Sequence, residues 1–502
     1  MSACLQAMGM ALCRFMKIQR FVADAGNAVM RWCHKWPTVA LVLFATLSVI
    51  RAAVEIQVDA SRTNGLIRPL HGVNLGPLCY RGMVDLTAYH RELAVPYTRL
   101  HDVVWLNAHA VDISTIFRDF RQDPRDPSNY DFACTDDYLA AITNTGSRII
   151  YRLGESIEHT PRKYRVHPPP DPRHWAEICL GIIRHYNEGW AGGFRHNIEY
   201  WEIWNEPDVR PSMWTGTDAQ FFELYEITAR AIKNQFPHLK VGGPALGGTG
   251  DFVEGRFVPT KFASNFLAFC RSRQVPLDFL SWHRYTSDPW DIPRRAQAMR
   301  CLLDDHGFNH TESHFNEWNY LPREDWMPMF KEGQGTTREA WFREMSGPAG
   351  AAFAACVLSL LQSAPVDVAN FYTGEIQGFG LFNFHGVPQK NYYAFLAFRR
   401  LLDTPVRLDV SAVPRGMTAL AGRHPTRPAL GVFVSNFNQP AEEITLRFPG
   451  LPWGQEAEWQ WRVVDANSNL EVRARGKIQA QDASLSLKLP APSVGWLVVE
   501  GR

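Results

Sequence analysis

The chain has 502 residues, 46% of them apolar and 21% charged, so it can bury a large core and is too long for one ordinary domain. Fifty-two Lys and Arg stand against 51 Asp and Glu, which leaves no electrostatic footprint for a nucleic acid or a polybasic membrane contact. Seventeen Trp, 15 Tyr and 30 Phe supply rings that suit sugar surfaces, although most such rings belong to cores.

In chain order the first feature is the apolar run Thr38–Ile50, preceded by Arg31, His34 and Lys35 and followed by Arg51-Ala52-Ala53. It is shorter than the roughly 20 residues that cross a bilayer. It reads as the apolar region of an export signal, with Met30 as an alternative start. The expectation is an exported protein, periplasmic or secreted, with an uncleaved N-terminal membrane anchor as the alternative fate of residues 1–53. Cys4, Cys13 and Cys33 fall in this segment. The six remaining cysteines show no Cys/His ligand spacing, so no structural zinc is expected and most should be buried thiols.

Residues 54–70 form a short section of their own. Val54-Glu-Ile-Gln-Val58 alternates with period two and reads as a strand that joins a β-sandwich further along the chain. From 71 to 402 short apolar runs alternate with amphipathic stretches. The strands are expected at His71–Gly76, Tyr97–Asp102, Arg148–Leu153, Tyr200–Glu206, Leu239–Pro244, Asp278–His283, Glu312–Glu317 and Asp367–Thr373. Helical patterns lie near 132–145, 173–187, 261–273, 293–306, 337–363 and 390–402. One more opens at Thr217-x-x-Gln220, a capping box followed by Phe221, Leu224, Tyr225, Thr228 and Ile232 on one face. Eight such units predict an α/β chain folded as a (β/α)8 TIM barrel. A doubly wound sheet is the rival, but no glycine-rich nucleotide fingerprint occurs. Past Leu402, runs such as Leu430–Val434, Glu443–Phe448, Trp459–Val464 and Leu485–Leu489, punctuated by Pro, Gly and Asn, predict an accompanying C-terminal β-sandwich over 403–502.

Catalytic residues of such a barrel belong at the C-terminal ends of its strands. The fourth expected strand ends in Trp201-Glu-Ile-Trp-Asn-Glu206, and the seventh in His314-Phe-Asn-Glu317. A carboxylate among aromatics is costly to desolvate unless it is bonded or paired. Two of them at facing strand ends suit glycoside hydrolysis, which needs a proton for the leaving oxygen and a partner for the sugar's reacting carbon. At a separation of ~5 Å and an effective dielectric near 20, their repulsion is about 3 kcal/mol, or about two pKa units. One can then stay protonated while the other is ionised. Glu202 shares the parity of Glu206 and reads as an interior ion pair. Asp136-Asp137 and Asp304-Asp305-His306 read as solvated or capping groups, and Gly247-Gly248-Thr-Gly250 as a loop.

Trp204-Asn-Glu-Pro-Asp208 and Asn316-Glu-Trp-Asn319 resemble the acid/base and nucleophile strands of retaining barrel glycosidases. Gly72-Val-Asn-Leu-Gly-Pro77, Thr98-Arg-Leu-His101, Lys240-Val-Gly-Gly-Pro244 and Ser281-Trp-His-Arg-Tyr285 narrow the resemblance to glycoside hydrolase family 39, the β-xylosidases and α-L-iduronidases, over residues 71–400. That resemblance implies Glu206 as acid/base and Glu317 as nucleophile of a double displacement. It further implies that Asn205 binds the sugar 2-hydroxyl, that His283 and Tyr285 orient Glu317 and line the subsite, and that Arg99 and His101 form the floor. It implies a carbohydrate substrate and no cofactor. The segment Phe371–Phe382 is short where xylosidases carry a longer acidic loop, and Glu375 is its only acid, so sugar specificity stays open. An endo-acting exopolysaccharide hydrolase and a non-catalytic carbohydrate-binding barrel are the alternatives.

Overall fold

The computed structural model describes residues 54–501 apart from 80–82, 106, 331–332, 450, 452–455 and 481–482; the expected export segment lies outside the described residues. Strand β1 (Val54–Leu66) belongs to the C-terminal sheet. The next eight close a barrel: β2 (Gly72–Asn74), β3 (Tyr97–Leu100), β4 (Arg148–Leu153), β5 (Tyr200–Ile203), β6 (Lys240–Leu246), β7 (Phe279–Thr286), β8 (Glu312–Tyr320) and β9 (Val368–Phe371). All eight pairings are parallel, and β9 returns to β2 through Asn370–Gly72 and Phe371–Val73. The helices that follow the strands in turn are α1 (Thr87–Leu93), α2 (Ala133–Thr143), α3 (Pro172–Asn187), α4 (Asp218–Gln235), α5 (Lys261–Arg273) and α6 (Asp291–Asp305). After β8 come α7 (Thr336–Ser346) and α8 (Pro348–Leu360), and after β9 comes α9 (Lys390–Leu401). The continuous helix expected over 337–363 is therefore two, broken at Gly347-Pro348. Proline cannot donate the helical bond there but is favoured in a new first turn.

Local chemistry sets these elements. Thr217 Oγ1 accepts from the amide of Gln220 (3.2 Å), and Gln220 Oε1 accepts from the amide of Thr217 (2.9 Å), which closes the expected capping box of α4. Its Phe221, Leu224, Tyr225, Thr228 and Ile232 are all buried. The larger of these contribute about 1.5–3 kcal/mol each. Asp136 is partly exposed, and it also accepts from His185 Nε2 (2.8 Å) and Tyr186 Oη (2.9 Å) and so ties α2 to α3. Asp137 accepts from Trp105 Nε1 at 2.9 Å. Cys79, Cys179, Cys270 and Cys356 are buried thiols, and Cys301 is exposed.

Inside the barrel, period-two alternation stacks side chains in layers. The lowest is apolar: Tyr97, Ile150, Tyr200, Phe279 and Val368 pack together, with the His314 ring 4.4 Å from that of Phe279. Two residues further along, the same strands present Arg99, Glu202 and Asn370, with Asn74 and Asn316 beside them. The middle of this barrel is therefore polar, and the active-site candidates stand on top of it.

The C-terminal strands are β10 (Val406–Ser411), β11 (Met417–Arg423), β12 (Ala429–Asn436), β13 (Glu443–Phe448), β14 (Glu456–Asp465), β15 (Ser468–Gln479), β16 (Ala483–Lys488) and β17 (Ser493–Gly501). With β1 they run in the order β15-β14-β17-β12-β11-β10-β1-β13-β16. β1 pairs antiparallel with β10 (Gln57–Ser411) and parallel with β13 (Ile56–Leu446). Ile56, Val432, Leu446, Trp461, Leu485 and Leu497 are buried in one core between the sheet's two halves, giving a β-sandwich. It docks on the barrel through α8 and α9, where Ser435 Oγ donates to the Ala352 carbonyl (2.7 Å) and Phe433 packs on Phe398.

Candidate active site

β5 ends at Ile203, short of the expected Glu206, because Trp204 (φ +69°) and Glu206 (φ +47°) adopt the left-handed region. Side chains other than glycine rarely sit there, and such strain gathers at functional sites. It is held by Trp204 N–H to the Leu153 carbonyl (2.7 Å), Trp204 Nε1 to the Met213 carbonyl (2.8 Å) and Glu206 N–H to the Ala245 carbonyl (2.9 Å). The turn swings Glu206 over the barrel mouth. β8 runs on to Tyr320, past the expected end at Glu317. Its register against β7 shifts between Phe315 and Glu317, so Asn316 is an extra residue in the ladder. Both Asn316 and Glu317 then bond to interior groups, the re-aiming a bulge produces.

The result brings Glu206 and Glu317 together. One carboxylate oxygen from each, with a ring nitrogen of His283, lie within 4.8 Å of one another. Tyr285 Oη donates to Glu317 Oε1 (2.7 Å), and Arg99 Nη1 donates to Glu317 Oε2 (3.2 Å). Arg99 is fully buried and also donates to Glu202 (2.7 Å), Asn74 (3.0 Å) and Asn205 (2.6 Å), while Asn316 Nδ2 holds the other oxygen of Glu202 at 2.5 Å. Glu202 is thus the interior ion-pair partner that its parity suggests.

His283 differs from its expected role. Its Nδ1 lies 2.8 Å from Glu206 Oε1 but 3.8 Å from Glu317, so it orients the first carboxyl and not the second. β6 stands between them, and its continuation supplies Gly247. A Cβ there would sit 3.0 Å from Glu206 Oε1, so the missing side chain leaves the passage open. Gly247 and Gly248 also donate their amides to Asp208 at 3.1 and 2.7 Å, which gives that loop its local purpose.

Above the pair opens a cavity of about 480 Å³, within the range of small-ligand sites. His101, Glu206, His283, Tyr285 and Glu317 line it. Arg99 and Asn205 do not: both are fully buried beneath. The amide Nδ2 of Asn205 has no partner among the described residues. Trp204, Trp282 and Trp318 are core rings, and the cavity's indole is Trp326. Sequence reasoning also missed Asp102, Tyr372, Gln377 and Phe379. Asp102 directly follows the Thr98–His101 motif and so carried a usable signal. The others sit on loops with no motif.

Burial pushes the Glu206 carboxyl up to about 8, aided by the negative charges of Asp208 and Asp102 and opposed by Arg99. Burial raises Glu317 too, while His283, Arg99 and the Tyr285 hydroxyl pull it back. His283 is held below its ordinary value, first by burial, and is neutral at pH 7. The arrangement therefore offers two carboxyls that burial raises, Glu206 to about 8 and Glu317 held back by Arg99 and the Tyr285 hydroxyl. The trio Glu206, His283 and Glu317 could also approach a cation. However, Arg99 already sits 3.2 Å from Glu317, and that positive charge opposes a metal ion.

Residues 54–298 match the family model described as "Glycosyl hydrolases family 39". A β-xylosidase of Geobacillus stearothermophilus is 30% identical over 268 residues, 48% of this chain and 49% of that protein. The likeness to glycosyl hydrolase family 39 thus covers just under half of the chain. The chain spans about half the length of that relative. A β-xylosidase of Caldicellulosiruptor saccharolyticus is 24% identical over 393 residues, 70% of this chain and 71% of its own length. Among solved structures, a glucosidase from Croceicoccus marinus superimposes with a TM-score of 0.76 at 24% identity, over 90% of this chain and 99% of that one. That likeness establishes the barrel-and-sandwich fold of the chain.

Proposed function

We propose that the protein is a retaining glycoside hydrolase that cleaves an O-glycosidic bond in an oligo- or polysaccharide by double displacement, with Glu206 as acid/base and Glu317 as nucleophile. The observation that carries this reading is the approach of the two carboxylates to within 4.8 Å. Retaining pairs stand about 5–5.5 Å apart, whereas inverting pairs need about 6.5 Å or more to admit a water. Glu206, raised to about 8, carries the proton that the leaving oxygen takes. Glu317, held as its anion by Tyr285 and Arg99, attacks the anomeric carbon and forms a glycosyl ester. Esterification removes the negative charge beside Glu206. The carboxyl of Glu206 then becomes more acidic, accepts a proton from water, and the hydroxide equivalent releases the sugar with its configuration kept.

Because the curated relatives are named β-xylosidases, β-D-xylosides are the first substrates to test. Glu317→Ala should abolish hydrolysis of p-nitrophenyl β-D-xyloside, and azide should restore turnover in Glu206→Ala and yield a β-glycosyl azide, since it attacks the α-linked glycosyl ester from the opposite face. Near-native turnover by Glu317→Ala on every aryl glycoside cleaved by the native chain would refute the assignment. Export belongs to the same proposal, and an inactive fusion of residues 30–53 to a periplasm-dependent reporter would count against it.

A further inference from the structure

The cavity holds one carboxylate that touches neither reacting carboxyl and acts on Glu206 only through its charge. Asp102 follows β3 and lines the same wall as Glu206 and Glu317. Its backbone is left-handed (φ +56°), which an aspartate tolerates better than most residues but which a plain strand end does not require. Its Oδ1 accepts from the amide of Ile157 (3.0 Å), and its Oδ2 from Tyr372 Oη (3.3 Å). A carboxylate can accept about four hydrogen bonds, so these fixed donors leave capacity to spare. The side chain is 21% exposed, in the cavity.

Its surroundings point to a neutral partner. The nearest basic group is His101 Nε2 at 3.3 Å, and burial holds that ring well below its ordinary range, so it is uncharged. Arg99 is sealed beneath by Glu202, Glu317, Asn74 and Asn205, and Arg284 is engaged by Asp291 at 2.8 Å. The one acid of the loop after β9, Glu375, does not line the cavity. It is buried and accepts from Gln377 Nε2 at 2.8 Å. Arg152 and His159 act on its charge from further off, and Arg152 is bonded to Asp112 at 2.7 Å, so the cavity is left with one carboxylate rigidly oriented from two sides next to the catalytic pair.

Resting on the reading of this cavity as a sugar site, we propose that Asp102 is its specificity-determining residue and accepts hydrogen bonds from adjacent hydroxyls of a neutral sugar ring. Two hydroxyls on neighbouring carbons can each donate to one oxygen of a carboxylate, and such charge-assisted bonds are the stronger kind. Tyr372 and the Ile157 amide orient the acceptor, and the left-handed backbone at Asp102 turns it into the cavity.

The test uses the full chain and two variants suited to a left-handed backbone, Asp102→Asn, which keeps the shape and an acceptor, and Asp102→Gly, which relieves the conformation. Both should melt within a few degrees of native. D-Xylose, D-glucose and L-arabinose are titrated into each by calorimetry, and kcat and KM are measured on the matching p-nitrophenyl glycosides. The expected result is binding weakened tenfold or more in both variants, with KM rising more than kcat falls. The penalty should vanish for a deoxy-glycoside that lacks the hydroxyl concerned, which a merely structural role would not produce. Sugar affinity and KM within twofold of native in both variants would overturn the proposal while leaving the hydrolase reading intact. Sugar binding that depends on Asp102 in a chain that hydrolyses no glycoside would do the reverse.

Discussion

Replacing Glu317 by Gln should move the titration of Glu206 toward acid, and the size of the move follows from the geometry. With oxygens within 4.8 Å of each other and an effective dielectric of about 20, the repulsion between the two ionised carboxyls is about 3.5 kcal/mol at closest approach. Charge is spread over each carboxylate, so about 3 kcal/mol, or about two pH units, is the expected effect on whichever group ionises second. That group is Glu206, because Glu317 has the donors Tyr285 and Arg99. The Glu317→Gln chain, labelled with 13C at the glutamate carboxyls, is titrated by NMR, and the Glu206 resonance is identified by its loss in Glu206→Gln. In native protein its midpoint should lie above the value of about 8 that burial and Asp208 impose, because the ionised Glu317 adds to them. In Glu317→Gln it should lie about two pH units lower, the same change that ester formation imposes during turnover. The sign is fixed, since a lost negative neighbour can only favour ionisation. A midpoint unchanged within half a unit would mean that the carboxyls do not share one cavity, and the switch from acid to base would lose its physical cause.

Tyr285→Phe removes the 2.7 Å bond to Glu317. Bonds to charged groups are worth about 1.5–3 kcal/mol, so kcat/KM should fall about 10- to 150-fold, and the acidic limb of the pH profile should move upward because the nucleophile loses a donor to its anion; a loss under twofold refutes the contact. Arg99→Leu strands Glu202 and Glu317 as buried acids and should cost about 3–5 kcal/mol in urea unfolding at pH 7, shrinking at low pH as the acids protonate. Glu375, raised to about 8 by burial, contributes stability that is present below its unfolded value and is lost as pH rises through about 8. The melting temperature of Glu375→Gln relative to native should therefore climb between pH 5 and 9, and a flat difference would refute it. Gly247→Ala places a Cβ 3.0 Å from Glu206 Oε1 and 2.6 Å from Val209 Cγ2, so it should depress kcat with little change in KM on an activated aryl glycoside.

The barrel was legible because its strands are buried on both faces and separated by helices whose apolar faces repeat at the helical period. Arg148–Leu153 is the same in sequence and structure, and it has no special backbone. The strand ends that matter were read less well. The run Tyr200–Glu206 looks like an unbroken strand because Trp204 and Glu206 give no sign of a left-handed turn, a conformation that usually announces itself with glycine or asparagine. β7 and β8 were cut short because Arg284 and Asn319 look like loop residues by composition, yet both lie in strands. The identities of Glu206 and Glu317 were visible, since a carboxylate among aromatics is conspicuous. The partner of His283 was not, because it depends on an absent side chain at Gly247 on a neighbouring strand.

The same departures from regular backbone explain how one barrel keeps two glutamates in different protonation states. Had β5 continued as a strand beyond Glu202, period two would have aimed residues 204 and 206 along the row that Glu202 occupies, near Arg99. The left-handed turn instead carries Glu206 away toward His283, a neutral ring, and toward Asp208 and Asp102, both of which raise it. The bulge at Asn316 acts in the opposite sense for Glu317, bringing it to 3.2 Å from the guanidinium that also holds Glu202. One buried arginine thus serves two carboxylates, and the third is set apart from it by backbone geometry. On the proposed assignment, the division between acid and nucleophile is accordingly a property of how two strands end, more than of the glutamates themselves.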